Sequence, residues 1–283
     1  MLKKLNTTLS RYVPSQIRDE FEFANGLIKL QRSHPQSSKP PVLFVAGSFC
    51  GAWIWRDNFF EHFYQAGYDV AAMSFRSHGK RGLPLLSRKL SDFEADLTQA
   101  TGTFPQPPIV VAHSLGGLVA QRVAAQIPIH ALALLSPIPA DGVARSVLSL
   151  AKKSPISVLK LASVTIRPQF ARSGQPPIGI YSEHVPEPQR QAVTRRLQAE
   201  APLVLLQSIA PRLRRPAKLP CPVHFWGAEG DHIIPAREVQ RAAKLIGAES
   251  TIFPGMSHTF QVEPNWKALA DDVLAWLNTV TKV

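Results

Sequence analysis

The apolar run Ile109-Val110-Val111-Ala112 leads directly into His113-Ser114-Leu115-Gly116-Gly117, where the helical pattern Leu115–Ala125 begins. Few folds accept this. The run has no polar alternation, so it reads as a strand buried on both faces. The small residues around Ser114 let a strand turn sharply into a helix with the two backbones close together. The same rhythm recurs along the chain. Strand patterns at Val42–Ala46, Tyr68–Met73, Ala131–Leu135, Val223–Trp226 and Ser250–Phe253 alternate with helical patterns at Trp53–Ala66, Leu90–Thr101, Arg237–Ile246 and Trp266–Val280. Ser91-Asp92-Phe93-Glu94 has the form of a capping box. Such alternation implies an α/β fold with a mainly parallel sheet covered by helices on both faces. In such sheets ligands bind beyond the carboxyl ends of the strands.

The rhythm lapses twice. Residues 1–40 form an N-terminal extension, in which Phe21-Glu22-Phe23 and Leu27–Leu30 flank Asn25-Gly26 as a hairpin with its turn. Residues 137–220 carry two helical patterns, Val143–Ser163 and Pro188–Ser208, separated by Pro- and Gly-containing loops. The expected organisation is a core of residues 1–136 and 221–283, interrupted by a helical insert at 137–220.

A chain of 283 residues buries enough surface to fold without staples. Cys50 and Cys221 make neither a disulfide framework nor a zinc pattern, which fits a reducing, cytoplasmic setting. Met1–Thr8 has two lysines but no apolar stretch of the signal-peptide kind. No run reaches the roughly 18 apolar residues of a membrane span. The formal net charge is +12, yet no common nucleic-acid motif accompanies it, so no nucleic-acid partner is expected.

Three loops, each just after a strand, hold residues of the types that nucleophilic catalysis combines. Ser114 sits at a helix N-terminus, where N–H groups and the helix dipole favour negative charge. Asp231 stands in Gly227-Ala228-Glu229-Gly230-Asp231-His232-Ile233-Ile234-Pro235, and His258 in Pro254-Gly255-Met256-Ser257-His258. A hydroxyl becomes a useful nucleophile only when a base takes its proton. Ala112–Gly116 resembles the G-x-S-x-G nucleophile elbow of the α/β-hydrolase superfamily, with Ala112 in place of the first Gly. The two later loops resemble that family's acid and histidine loops, in the family's chain order of Ser, acid, His.

The resemblance covers about residues 41–136 and 222–280. It implies a capped serine hydrolase of the esterase-lipase type, with Ser114 as nucleophile, His258 as base and Asp231 as acid. Asp141, just after the Ala131–Leu135 strand, is a rival for the acid, and His113 and His232 are rival bases. Gly47-Ser48-Phe49-Cys50-Gly51-Ala52-Trp53 is similar to the family's oxyanion loop, with Ala46 in place of the usual His. It implies oxyanion donors at the amides of Leu115 and Ser48, with Phe49 as the alternative to Ser48. Arg76-Ser77-His78-Gly79 resembles a structural turn of the family. No metal or cofactor is implied.

The insert holds 13 Lys and Arg against 4 Asp and Glu, nine of the chain's twelve net positive charges. Lys152, Lys153, Arg195, Arg196, Arg212, Arg214 and Arg215 are its densest part. They form either a solvated face or an attraction for an anionic partner, namely an anionic lipid surface, a CoA thioester or an acidic carrier domain. Its apolar residues, among them Val147, Leu148, Leu150, Val158, Leu159, Leu161 and Leu203–Leu206, either line an acyl pocket or form the insert's own core. The expected activity is hydrolysis of a small carboxylic ester through an acyl-enzyme. The alternatives are an acyl-CoA thioesterase or monoacylglycerol lipase activity, a lyase of the same fold, and a non-catalytic binding protein.

Overall fold

The computed structural model describes residues 3–4, 19–22, 27–76, 78, 85–167, 176–209 and 218–281. Within these, nine strands form one sheet: β1 (Lys3–Lys4), β2 (Asp19–Glu22), β3 (Ile28–Arg32), β4 (Val42–Val45), β5 (Val70–Ser74), β6 (Ile109–His113), β7 (Ala131–Leu135), β8 (Val223–Ala228) and β9 (Glu249–Phe253). Their order is β1-β2-β3-β5-β4-β6-β7-β8-β9. β1, β2 and β3 join antiparallel, as does β3 to β5. From β5 to β9 every pairing is parallel. This is the mainly parallel sheet expected from the strand–helix rhythm, in the α/β-hydrolase arrangement that the resemblance implies.

Alternate residues along each central strand feed opposite cores, as the two-residue strand period requires. Leu43 and Val45 of β4, with Val110 and Ala112 of β6, pack under α3 (Leu90–Thr101), α4 (Ser114–Ala124) and α9 (Ala236–Ile246). Val42, Phe44, Ile109 and Val111 face the other layer, which includes Trp55, Phe59 and Phe63 and α10 (Trp266–Val280). Each buried Val, Leu or Phe contributes about 1.5–3 kcal/mol relative to exposure, so these runs admit no polar residue.

The chain order places the site. β5 lies on one side of β4, β6 on the other, and β7, β8 and β9 continue outward from β6. The winding therefore reverses between β4 and β6, where two successive connections part and leave a crevice at the strands' carboxyl ends. The loops after β4 and β6 are the ones that carry Ser48 and Ser114.

Several local expectations are corrected. Trp53–Ala66 is not one regular helix but α1 (Trp53–Trp55), a π-helical stretch (Arg56–Phe60) and α2 (Glu61–Gln65). The cap of α3 lies earlier than the Ser91–Glu94 box: helix begins at Leu90, and Asp92 accepts the Lys89 N–H at 2.8 Å. Glu94 instead pairs with Arg122. The two helical patterns of the β7–β8 segment are four helices: α5 (Ala144–Lys153), α6 (Pro155–Ile166), α7 (Glu187–Arg196) and α8 (Pro202–Ile209). Pro155 and Pro202 cause the splits. Proline has no N–H to continue a helix and clashes with the preceding turn, but it suits a first helical position. The extension's two strands do pair, Phe21 opposite Lys29. Its Asn25-Gly26 turn lies outside the described residues, as do Arg212, Arg214 and Arg215. No helix among the described residues is long and apolar enough to cross a membrane.

Candidate active site

Ser114 takes φ = +51°, an αL backbone that a non-glycine residue adopts only at a cost. The surroundings impose it. The turn from β6 to α4 is so tight that a Cβ on Gly116 would sit 2.4 Å from the Ala46 carbonyl oxygen. Ile138 N–H donates to the Ser114 carbonyl at 2.9 Å. The Ser114 side chain thus stands at the head of α4, above the crevice.

His258 and Asp231 reach the same point from the loops after β9 and β8. His258 Nε2 lies 3.1 Å from Ser114 Oγ, and His258 Nδ1 lies 2.8 Å from Asp231 Oδ2. The carboxylate can only accept, so Nδ1 carries the ring proton of neutral His258 and Nε2 faces the hydroxyl as an acceptor. Asp231 is almost fully buried, and its Oδ1 accepts the N–H groups of Ile233 and Ile234 at 2.8 and 2.9 Å. These bonds set the carboxylate's orientation. The three residues therefore form one continuous hydrogen-bonded chain.

The rivals lie elsewhere. Asp141 binds Arg241 through two contacts of 2.8 Å and Arg145 at 3.0 Å. Burial raises its pKa, but the Arg241 hydrogen bonds and charge outweigh that and hold the carboxyl below its usual range. His232 Nε2 contacts Lys153 Nζ at 2.8 Å. His113 is buried beneath the turn, and its Nε2 donates to the His258 carbonyl at 2.9 Å. Burial, then the nearby His258, hold its pKa well below the usual value, so the ring is neutral.

The loop after β4 approaches from the other side of the crevice. Phe49 has φ = +64°, and its N–H donates to Glu200 Oε2 at 3.2 Å. That amide is engaged, which leaves Ser48 as the free candidate of the two. Leu115, the second residue of α4, has an N–H with no helical acceptor to reach. Burial, then the Glu200 charge, push the Cys50 thiol up to about 12, so it stays protonated and inert. Of the Arg76–Gly79 turn, Arg76 binds the buried Asp96 at 2.6 Å and His78 lies buried against Glu200. Residues 77 and 79 fall outside the described residues. No spacing rule marks Glu200; it is a lone carboxylate in a basic segment, 151 positions from the amide it binds.

A cavity of about 560 Å³ opens from Ser114 and His258 beneath α5–α8. This is within the roughly 300–1,000 Å³ of small-molecule sites. Val147, Leu150, Val158, Leu161 and Leu205 line it. Leu148 and Leu159, from the same apolar pattern, point outward and are 57% and 64% exposed. The helical segment thus divides its apolar residues between the cavity and the surface.

The loop between α6 and α7 is stitched to the site. His258 N–H donates to the Gly179 carbonyl at 2.9 Å, and Thr259 N–H to that of Ile180 at 3.0 Å. Gly179 has φ = +76°, and a Cβ there would lie 2.3 Å from His232 N, so only glycine fits. The buried Glu263 accepts from the backbone N–H groups of Ser182, at 2.9 Å, and Ser257, at 3.2 Å.

The chain and its fold have known counterparts. The chain is 26% identical over 237 residues to a monoacylglycerol lipase of Mycolicibacterium smegmatis (strain ATCC 700084 / mc(2)155), covering 77% of this chain and 80% of the relative. Its fold resembles a thermophilic esterase from Thermogutta terrifontis (TM-score 0.72, 16% identity, all of both chains covered). It also resembles a bromoperoxidase from Bacillus anthracis (TM-score 0.67, 14% identity, 92% and 96% covered). Residues 42–272, from the first central strand into the last helix, match the alpha/beta hydrolase family, and the chain belongs to it.

Proposed function

We propose that this hydrolase cleaves a carboxylic ester with an apolar acyl group, through an acyl-enzyme on Ser114. The observation that carries the reading is the chain Ser114 Oγ–His258–Asp231, with links of 3.1 and 2.8 Å, at the base of an apolar cavity. Ser114 Oγ attacks the acyl carbonyl while His258 Nε2 takes its proton, then returns it to the leaving alcohol. Asp231 stabilises the imidazolium that forms between these steps. The amides of Leu115 and Ser48 receive the oxyanion, a contribution of about 2.7–4 kcal/mol per donor in comparable sites. Water activated by His258 then releases the acid. No step calls for a metal or cofactor.

The helical segment α5–α8 serves in this reading as a cap whose inner face holds the acyl chain. A monoacylglycerol substrate fits within it, supported by the mycobacterial relative and by the cavity's apolar lining. The test is labelling with a fluorophosphonate, which reacts with activated serine hydroxyls. Ser114 should carry the label, and Ser114→Ala should lose both labelling and hydrolysis of a glyceryl monoester. Labelling at another serine, or activity retained in Ser114→Ala, overturns the assignment.

A further inference from the structure

Residues 47–50 make a turn closed by Cys50 N–H donating to the Gly47 carbonyl at 3.4 Å. Its third residue is Phe49, at φ = +64°. Turns of this kind favour glycine there, because a side chain at positive φ is strained. Strained residues persist where their surroundings over-determine them. Here the restraint comes from one short stretch of the helical segment. Glu200 Oε2 accepts the Phe49 N–H at 3.2 Å, and Gln198 N–H donates to the Phe49 carbonyl at 2.9 Å.

A peptide unit is planar, so a bond to either end orients the other. Glu200 fixes the plane between Ser48 and Phe49, and Gln198 the plane between Phe49 and Cys50. The Cys50–Gly47 bond fixes the plane between Gly47 and Ser48, which carries the Ser48 N–H. Three successive planes are thereby held, two of them from outside the loop and the third by the turn's own closing bond. Glu200 is itself anchored: its side chain is fully buried, its Oε1 accepts the Ala201 N–H at 2.9 Å, and His78 Nε2 lies 3.2 Å from Oε1. A bare carboxylate near a developing oxyanion would repel it. Burial pulls the His78 pKa down, but the charge and hydrogen bond of Glu200 outweigh it and leave it raised. The Glu200 charge thus favours the protonated ring, the form that offsets the carboxylate.

We infer that Glu200 is a positioning residue for the oxyanion hole: through the Phe49 amide it aims the Ser48 N–H at the oxygen of the tetrahedral intermediate. This rests on the function proposed above and deepens it, since it gives the helical segment a part in catalysis as well as in holding substrate.

The experiment compares Glu200→Met, which keeps the volume but removes the acceptor, with Glu200→Gln, whose amide oxygen still accepts the Phe49 N–H. Rates on a p-nitrophenyl ester are normalised to sites titrated with a fluorophosphonate. A trifluoromethyl ketone, which forms an oxyanion adduct on serine, is compared with a fatty alcohol, which forms none. Removing one oxyanion donor costs about 100- to 1,000-fold in kcat, and a misaimed donor less, so about 10- to 100-fold is expected in Glu200→Met. Ketone affinity should fall by a similar factor. KM and fatty-alcohol inhibition should stay within about twofold, and Glu200→Gln should recover most of the loss. Wild-type kcat in Glu200→Met, or a loss shared equally by ketone and alcohol, overturns the inference. Should Glu200→Met not fold, Glu200→Asp withdraws the acceptor by one methylene, and the same split in its inhibition decides. Ser114→Ala separates the two readings: its retained activity defeats the proposed function, whereas a silent Glu200→Met beside an inactive Ser114→Ala defeats this inference alone.

Discussion

The ring of His113 donates to the main-chain carbonyl of His258 across 2.9 Å, so the residue before the serine holds the residue that faces it. That bond places a proton on Nε2, and burial, then the nearby His258, outweigh the bond's upward pull and leave the pKa well below the usual value. Unfolded histidine titrates near 6.5. Below about pH 6.5 the unfolded chain therefore binds a proton that the folded chain refuses, and stability is lost as pH falls. Urea midpoints measured at about pH 7.5 and 5.5 should drop more for the wild type than for His113→Gln. Equal drops would mean that the folded protein protonates His113 freely.

Asp231 and Asp141 are separable by substitution. Asp231→Asn removes the acceptor of His258 Nδ1–H and favours the wrong tautomer, which lowers kcat by about 10⁴ in the serine-protease example. A loss of at least about 100-fold is expected here with the melting curve little changed. Asp141→Asn breaks the pairs with Arg241 and Arg145, which costs about 1 kcal/mol or less at a half-exposed site and leaves kcat near wild type. Steady-state kinetics of both variants decide the point, and the opposite ranking would move the acid to Asp141.

Gly116→Ala tests the backbone strain at the turn. Its methyl would meet the Ala46 carbonyl at 2.4 Å, a contact with main chain that cannot rotate away. Overpacking of this sort costs about 1–3 kcal/mol. The urea midpoint should fall accordingly, and fluorophosphonate labelling of Ser114 should slow as α4 shifts from β4. An unchanged midpoint would show that the strand and helix have slack.

The basic helical segment should act on encounter more than on chemistry. Lys152, Lys153 and Arg167 are exposed around α5 and α6. Their field is screened over about 8 Å at physiological salt. For an anionic acyl substrate kcat/KM should fall with added salt, while for a neutral short-chain ester it should stay nearly flat. Parallel salt curves for the two substrates would assign these charges to solvation alone.

The parts of the fold legible in the sequence are those set by short-range pattern. The unbroken apolar runs of β4, β6 and β7 announce a sheet buried on both faces, and α3 and α10 begin and end where their periodicity does. Ser114, Asp231 and His258 are legible because each follows a strand, and strand ends converge in a parallel sheet. Pattern fails where tertiary contact decides. The helical period runs smoothly across Ser154-Pro155, and only proline chemistry divides α5 from α6. Glu200 carries no local mark, and the Arg76–Gly79 motif marks His78 only as part of a turn, because the pair's meaning lies in meeting each other and Phe49 across the fold.

The bonds from His258 and Thr259 to Gly179 and Ile180 bear on how this enzyme can be re-engineered. A helical segment that merely covered a pocket could be exchanged for a relative's to graft on a new specificity. Here the transplant would also remove two carbonyls that seat the histidine loop, together with the Ser182 contact to Glu263. A working chimera must therefore keep residues 179–182 and 198–200 native and take donor sequence only within α5, α6 and the inner face of α8.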